Sequence, residues 1–221
     1  MSKRYLTLKE MAEIQDILNE HTIKNWRTEL NSNDFKTAMF DEFGELLNSA
    51  NFKWWKHSDA PADIWNLKIE AIDILHFALS VYICENTINS SADLVLGMYN
   101  TEHAYMLNGN NIDRNVFINK TCEVLASTNP SSIDDLFDSL GLLAEEIAAI
   151  YTAKSELNFI RQDEGYKNGT YVKVVDGVED NVRLESTVQK FLTDSNMSLC
   201  DLRTLVRDSF YVETKEEKTE E

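Results

Sequence analysis

The sequence predicts an all-α fold: a bundle of about seven or eight helices with one Gly-containing loop or small hairpin near the C-terminal third. Three observations lead there. Only 7 of 221 residues are Gly and 2 are Pro, well below the usual ~7% and ~5%. The tight turns of sandwiches, barrels and Gly-rich α/β folds are therefore scarce. Apolar residues recur at helical spacing along most of the chain, the pattern of amphipathic helices. Thr7-Leu8-Lys9-Glu10 has the form of a capping box that opens the first of them.

Helix one takes Leu8, Met11, Ile14 and Leu18 as its apolar face and runs to about Asn25. A second helix starts at Asn33 or Asp34, with Phe35, Met39, Phe43, Leu46, Leu47 and Ala50 on one side. Asn51–Ala60 reads as a connection, and Pro61 suits the first turn of the next helix. That third helix, Pro61 to Glu85, is apolar nearly all round from Ile69 to Cys84, as in a helix buried on most sides. It nonetheless contains Glu70, Asp73 and His76.

Further helices are expected at Ser91–Leu107, Asp113–Ala126, Ser132–Asn158, Asn181–Leu192 and Leu199–Val212, with loops at Asn108–Asn111 and Thr128–Pro130. Gly165, Gly169 and Gly177 mark the loop or hairpin between Asp163 and Asp180. Residues 1–212 read as one domain. Residues 213–221, rich in Glu and Lys, read as a disordered acidic tail.

Charge narrows the partners. Lys plus Arg is 21 and Asp plus Glu is 38, a net −17. Such a chain cannot easily build the basic face that nucleic acid requires, and an anionic membrane surface is disfavoured for the same reason. A small anion stays open if metal ions supply the positive charge. Residues 1–11 contain no apolar run of the signal-peptide kind, and no apolar stretch is long enough to span a bilayer. Cys84, Cys122 and Cys200 form no CxxC and read as reduced core thiols. The expected location is the cytoplasm, that of a host cell if the chain is phage-encoded.

The chemistry concentrates in two carboxylate pairs. Glu42 and Glu45 lie i, i+3 on helix two, and Glu70 and Asp73 lie i, i+3 on helix three. That spacing puts each pair on one helix face. A short connection makes the helices antiparallel neighbours, so the pairs face each other. Four carboxylates meeting in an apolar bundle repel and lose hydration unless cations fill the site. Oxygen ligands alone suit Mg²⁺ or Mn²⁺. A rival reading takes Asp73-x-x-His76 as half of a di-iron site, but His21, His57 and His103 provide no second half at that spacing. His76 then reads as a hydrogen-bonded core residue or a support for the ligands.

Glu42-x-x-Glu45 followed by Glu70-x-x-Asp73 resembles the all-α NTP pyrophosphatases, the superfamily of the MazG-like enzymes and the dimeric dUTPases. The run ELLNSANFKWWK resembles the dimeric dUTPase pattern, and IEAIDILHFAL resembles its second metal helix. The segment from Lys154 through Asn158, Arg161, Gln162, Gly165, Tyr166, Lys167, Gly169 and Tyr171 is close to a K-x-x-x-N-x-x-R-Q-x-x-G-Y-K-x-G-x-Y signature. Gln15 and Asn19 correspond to a family segment that contacts the base. Where relatives carry a further Asn, this chain has Ile23. Phage dCTPase-dUTPases share much of the signature.

The resemblance implies a homodimer that hydrolyses dUTP, and dUDP, to dUMP with Mg²⁺, by attack on the β-phosphorus. Glu42, Glu45, Glu70 and Asp73 would hold metal, and Glu45 would also serve the attacking water. Lys53, Lys56, Lys154, Arg161 and Lys167 would hold phosphate oxygens. Gln15, Asn19, Trp55, Asn158 and Tyr166 would meet the base or sugar. The alternatives are a related pyrophosphatase acting on dCTP or another nucleotide, and a non-enzymatic helical interaction protein with a decorative acidic cluster.

Overall fold

A computed structural model describes residues 4–53, 55, 61–87, 92–98, 114–126 and 130–217. Among them are nine α-helices: α1 Leu8–Thr22, α2 Trp26–Glu29, α3 Ser32–Ser49, α4 Ile64–Glu85, α5 Arg114–Ala126, α6 Pro130–Ser139, α7 Ala144–Asp163, α8 Asp180–Thr193 and α9 Leu199–Glu217. A two-stranded antiparallel hairpin, β1 Val174–Val175 and β2 Val178–Glu179, precedes α8. Its turn residues Asp176 and Gly177 both have positive φ, 52° and 78°, the geometry of a tight primed turn. The all-α expectation and the small hairpin both hold.

α4 is the central rod. It packs against α1, α3, α6, α7 and α8, and its side chains from Ile69 to Tyr82 are buried except Asp73 and Phe77. The α3–α4 pair is antiparallel. Ser49 at the end of α3 meets the start of α4, accepting from the Asp63 amide at 3.0 Å. Lys36, near the start of α3, pairs at 2.6 Å with Glu85 at the end of α4. α9 is fastened to α7 by Glu156, which is 1% exposed and accepts from Arg203 at 2.9 Å and from Arg207.

Helix boundaries differ from expectation where capping or burial decides them. The Thr7–Glu10 capping box forms, with the Thr7 amide donating to Glu10 at 2.9 Å. α1 stops at Thr22 rather than near Asn25, because the chain turns at Asn25 (φ 57°) to bury Trp26. The Trp26 ring meets Phe35 edge-on at 5.6 Å and its Nε1 donates to Asp16 at 2.9 Å. Pro61 lies upstream of α4 instead of inside its first turn, since the Asp63 carboxylate takes the cap from the Asn66 amide. The helix expected over Ser132–Asn158 is two helices, broken at Gly141 (φ 67°) between buried Leu140 and Leu142.

The helix expected over Ser91–Leu107 is absent from its described part. Residues 92–98 are turns whose carbonyls serve other helices. Leu8 and Lys9 donate to Leu94 and Ala92, and Ala144 donates to Gly97. The strap thus satisfies first-turn amides of α1 and α7 that have no partner within their own helices. Gly97 is required there: its φ is 71°, and a Cβ would come within 2.6 Å of Ile147 and 2.8 Å of the Ala144 nitrogen. The loop expected at Asn108–Asn111 and residues Thr128–Asn129 lie outside the described residues. α9 continues to Glu217, so the segment expected to be a tail is helical from 213 to 217; residues 218–221 lie outside the description. Cys84 is half-buried, but Cys122 and Cys200 are exposed, not core thiols; all three are free. Among the described residues no helix is long and apolar enough to cross a membrane.

Candidate active site

The antiparallel α3–α4 pair brings the acidic pairs together. Carboxylate oxygens of Glu42, Glu45 and Glu70 lie within 4.8 Å of one another. Glu70 is buried, Glu42 half-buried and Glu45 exposed. Asp73 stands beside them but turns to Lys154, whose ammonium is 2.8 Å away and almost wholly buried. The expected quartet is therefore a trio plus an ion pair.

Crowding and burial act on the trio as physical chemistry requires. Burial, then the charges of Asp73, Glu70 and Glu45, push Glu42 up to about 9. Burial, then Asp73, push Glu70 up to about 7, against the pull of Lys154. A Glu42–Glu70 side-chain hydrogen bond accompanies these shifts. Near neutral pH the cluster thus retains a proton that a cation would displace. An all-oxygen donor set of this density fits a hard divalent ion.

Next to the trio opens a cavity of about 330 Å³. Glu42 and Asp73 form part of its wall. α1 contributes Gln15, Leu18, Asn19 and Thr22, followed by Ile23, and α4 contributes His76 and Phe77. Asn158, Arg161 and Gln162 of α7 complete the polar lining, with Phe35 on the apolar side. A pocket with apolar walls and a few convergent polar groups is the usual form of a small-molecule site.

A chain of hydrogen bonds crosses this wall. Gln15 Nε2 donates to Asn19 Oδ1 at 2.8 Å, and Asn19 Nδ2 donates to Ser80 Oγ at 2.9 Å. Ser80 Oγ donates to the His76 carbonyl at 3.1 Å. The His76 ring stacks on Tyr151 with centroids 4.5 Å apart, and its Nδ1 lies 2.6 Å from Gln15 Oε1. Burial drives His76 down to about 4, so the ring is neutral.

Two cations near the cavity are held by acids of their own chain. Lys154 bridges Asp73 and Asn181 Oδ1, each at 2.8 Å. Arg161 makes two 2.8 Å bonds to Asp180, which is 0% exposed. Tyr171 Oη donates to Asp180 at 2.9 Å, and the Asn181 backbone amide also donates to Asp180, at 2.7 Å. Burial pushes Asp180 up, but Arg161, Tyr171 and that amide outweigh it and hold the carboxyl below its usual range.

A sequence model of the family described as dUTPase matches residues 7–166. The chain belongs to the dUTPase family. Among curated proteins, none matches it. The matched span includes α1 and the carboxylates of α3 and α4, and it ends within the glycine-bearing segment after α7.

In this dUTPase-family chain the structure gathers Gln15, Asn19, Asn158 and Arg161 into the cavity wall, with Glu42 and Asp73. Other expected residues stand elsewhere. Lys167 donates to the Thr22 carbonyl at 3.2 Å, at the end of α1. Tyr166 is half-exposed, 5.9 Å from the Tyr171 ring. Trp55 is exposed and meets Phe52 edge-on at 5.5 Å, and the Lys53 ammonium is 6.0 Å from the same Phe52 ring. Lys56 lies outside the described residues. His76 is a hydrogen-bonded core residue, and no histidine joins the acidic cluster among the described residues.

Sequence reasoning missed Asp180 and Asn181, the partners of Arg161 and Lys154. Their only sequence signal was their position just after the glycine-bearing segment, at the start of a helix. It also missed Ser80, Phe35 and Phe77, which read as ordinary core.

The raised carboxyls make the metal-free protein pH-sensitive. Glu42 and Glu70 hold protons in the folded state that the unfolded chain, with ordinary values near 4.5, has already released. Folding stability in EDTA is therefore expected to be greatest at mildly acidic pH. It falls as pH rises through about 7 and then about 9. Thermal unfolding at pH 6, 7.5 and 9 measures this, and saturating Mg²⁺ should flatten the slope. An EDTA profile that rises between pH 6 and 9 would mean that the carboxyls are not crowded.

Proposed function

We propose that this dUTPase-family chain hydrolyses dUTP, and dUDP, to dUMP with Mg²⁺ or Mn²⁺. The observation that carries this reading is the junction of the Glu42–Glu45–Glu70 trio with a cavity walled by amides and aromatic rings. One end suits cation-bound phosphates and the other suits a base. A bound divalent ion would neutralise phosphate oxygens and lower the pKa of its water.

The chain's residues divide the remaining work. Glu42, Glu45 and Glu70 would hold the cation, with Asp73 available once Lys154 turns to phosphate. Glu45, the exposed member of the trio, takes the proton of the attacking water. Arg161 and Lys154 hold phosphate oxygens in a chain whose net −17 charge would otherwise repel them. Gln15, Asn19 and Asn158 meet base and sugar, with Phe77 as an apolar wall. The family resemblance supports a homodimer, and three free cysteines are in keeping with a reducing cytoplasm.

A panel of dNTPs, NTPs and dUDP with Mg²⁺ and an assay for released phosphate and pyrophosphate tests the reading. dUTP is expected to turn over far faster than UTP or dTTP, because a pocket packed against the sugar and base edge excludes an extra hydroxyl or methyl. Comparable UTP turnover would move the chain to the broad-specificity pyrophosphatases. Preference for dCTP would reassign the base, and no turnover of any nucleotide would remove the enzymatic reading.

A further inference from the structure

The hydrogen-bond chain along the cavity wall has a direction, and Ser80 sets it. A backbone carbonyl can only accept, so the 3.1 Å contact from Ser80 to the His76 carbonyl spends the serine proton. Ser80 Oγ then accepts from Asn19, which leaves Asn19 Oδ1 to accept from Gln15. Gln15 Oε1 in turn accepts, so the proton of the neutral His76 ring sits on Nδ1. Each amide spends its oxygen within the chain and keeps one N–H over. His76 Nε2, buried and without a partner among the described residues, is left as a lone-pair acceptor.

Gln15 and Asn19 line the cavity, so its wall offers spare amide N–H donors on the same chain as an imidazole acceptor. A 4-oxo pyrimidine edge presents the complement: an acceptor at position 4 and an N–H donor at position 3. A 4-amino pyrimidine reverses both. We infer that Ser80, which is fully buried and itself outside the cavity lining, is a positioning residue that sets the polarity of the base pocket and so favours uracil over cytosine. This rests on the reading of the cavity as a nucleotide base site.

The reversed chain identifies what Ser80 contributes. If both amides and the imidazole tautomer flip together, Ser80 must donate to Asn19 and gives up the His76 carbonyl. One hydrogen bond is lost. Without the hydroxyl, the two directions have the same number of bonds, two each, and the wall presents either polarity. The bias set by Ser80 is then worth one net hydrogen bond, about fivefold to tenfold in selectivity.

The test compares wild type, Ser80→Ala and Ser80→Thr. The dUTP-to-dCTP ratio of kcat/KM is expected to fall about fivefold to tenfold in Ser80→Ala, and to recover in Ser80→Thr, which keeps the hydroxyl. ¹⁵N NMR of His76 without nucleotide supplies a second readout. Wild type should show the Nδ1-protonated tautomer in excess by about fivefold to tenfold, and Ser80→Ala a near-equal mixture. An unchanged ratio in Ser80→Ala, or a wild-type ring protonated on Nε2, overturns the inference. If wild type hydrolyses no nucleotide, the enzymatic reading fails, while the tautomer measurement still decides whether Ser80 directs the chain.

Discussion

Glu45→Gln is expected to lower turnover by about 10²–10⁴-fold, the usual contribution of a general base. Glutamine keeps the shape and one oxygen ligand but removes charge and basicity. Stability moves the other way under chelation. In EDTA the variant should be at least as stable as wild type, since one of three crowded carboxyl groups can no longer carry a charge. The exposure of Glu45 keeps that gain small, because solvent screens it. With saturating Mg²⁺ the order should narrow or invert, as the variant binds the ion less tightly. Thermal unfolding in both buffers, beside steady-state kinetics, checks the pattern. An inactive variant that is also clearly destabilised in EDTA would assign Glu45 to holding the fold together.

Asp180→Ala is expected to cost about 3–5 kcal/mol, the range for removing one partner of a buried ion pair. Asp180 is fully buried and Arg161 nearly so, and the guanidinium would keep its charge with its bidentate acceptor gone. Tyr171 would lose its acceptor as well. A loss of this size is a large share of the roughly 5–15 kcal/mol that stabilises a typical domain. Asp180→Asn, which keeps one oxygen, should lie between. The pH dependence gives an independent check. Because Asp180 is held below its usual range, its contribution is complete above the unfolded value and is lost as pH falls through the folded one. Wild type and Asp180→Ala should therefore converge in acid. Urea denaturation that finds a cost under about 1 kcal/mol at neutral pH would show that Arg161 does not depend on Asp180.

The fold class and the acidic site were legible because both are periodic. Glu42, Glu45, Glu70 and Asp73 stand at i, i+3 on helices whose apolar faces are unambiguous, and the structure brings three of the four together. The arrangement of charges between distant segments was not legible. Nothing local in Lys154 announces Asp73 and Asn181 as its partners, and nothing in Asp180 announces Arg161. These pairings exist only after α4, α7 and α8 have packed. Helix ends failed for a related reason. Residues 92–98 have helix-compatible composition, but their carbonyls are claimed by the first turns of α1 and α7. Ser80 was hidden because a small polar residue in an apolar helix looks like filler until its partners are known.

Glu70, Asp73, His76 and Ser80 all belong to α4, which places half of the acidic cluster and the hydrogen-bonded wall of the cavity on one rigid rod. Ten residues at 1.5 Å each set Ser80 about 15 Å along the axis from Glu70. Each added residue would also turn everything beyond it by about 100°. An insertion or deletion between Asp73 and His76 would therefore swing one half of the site away from α1 or α3, however mild the residue. Substitutions along this rod can be absorbed one contact at a time, whereas changes in its length cannot. Insertions and deletions are therefore expected to be borne by the segments between helices, with the stretch from Glu70 to Ser80 acting as a fixed gauge.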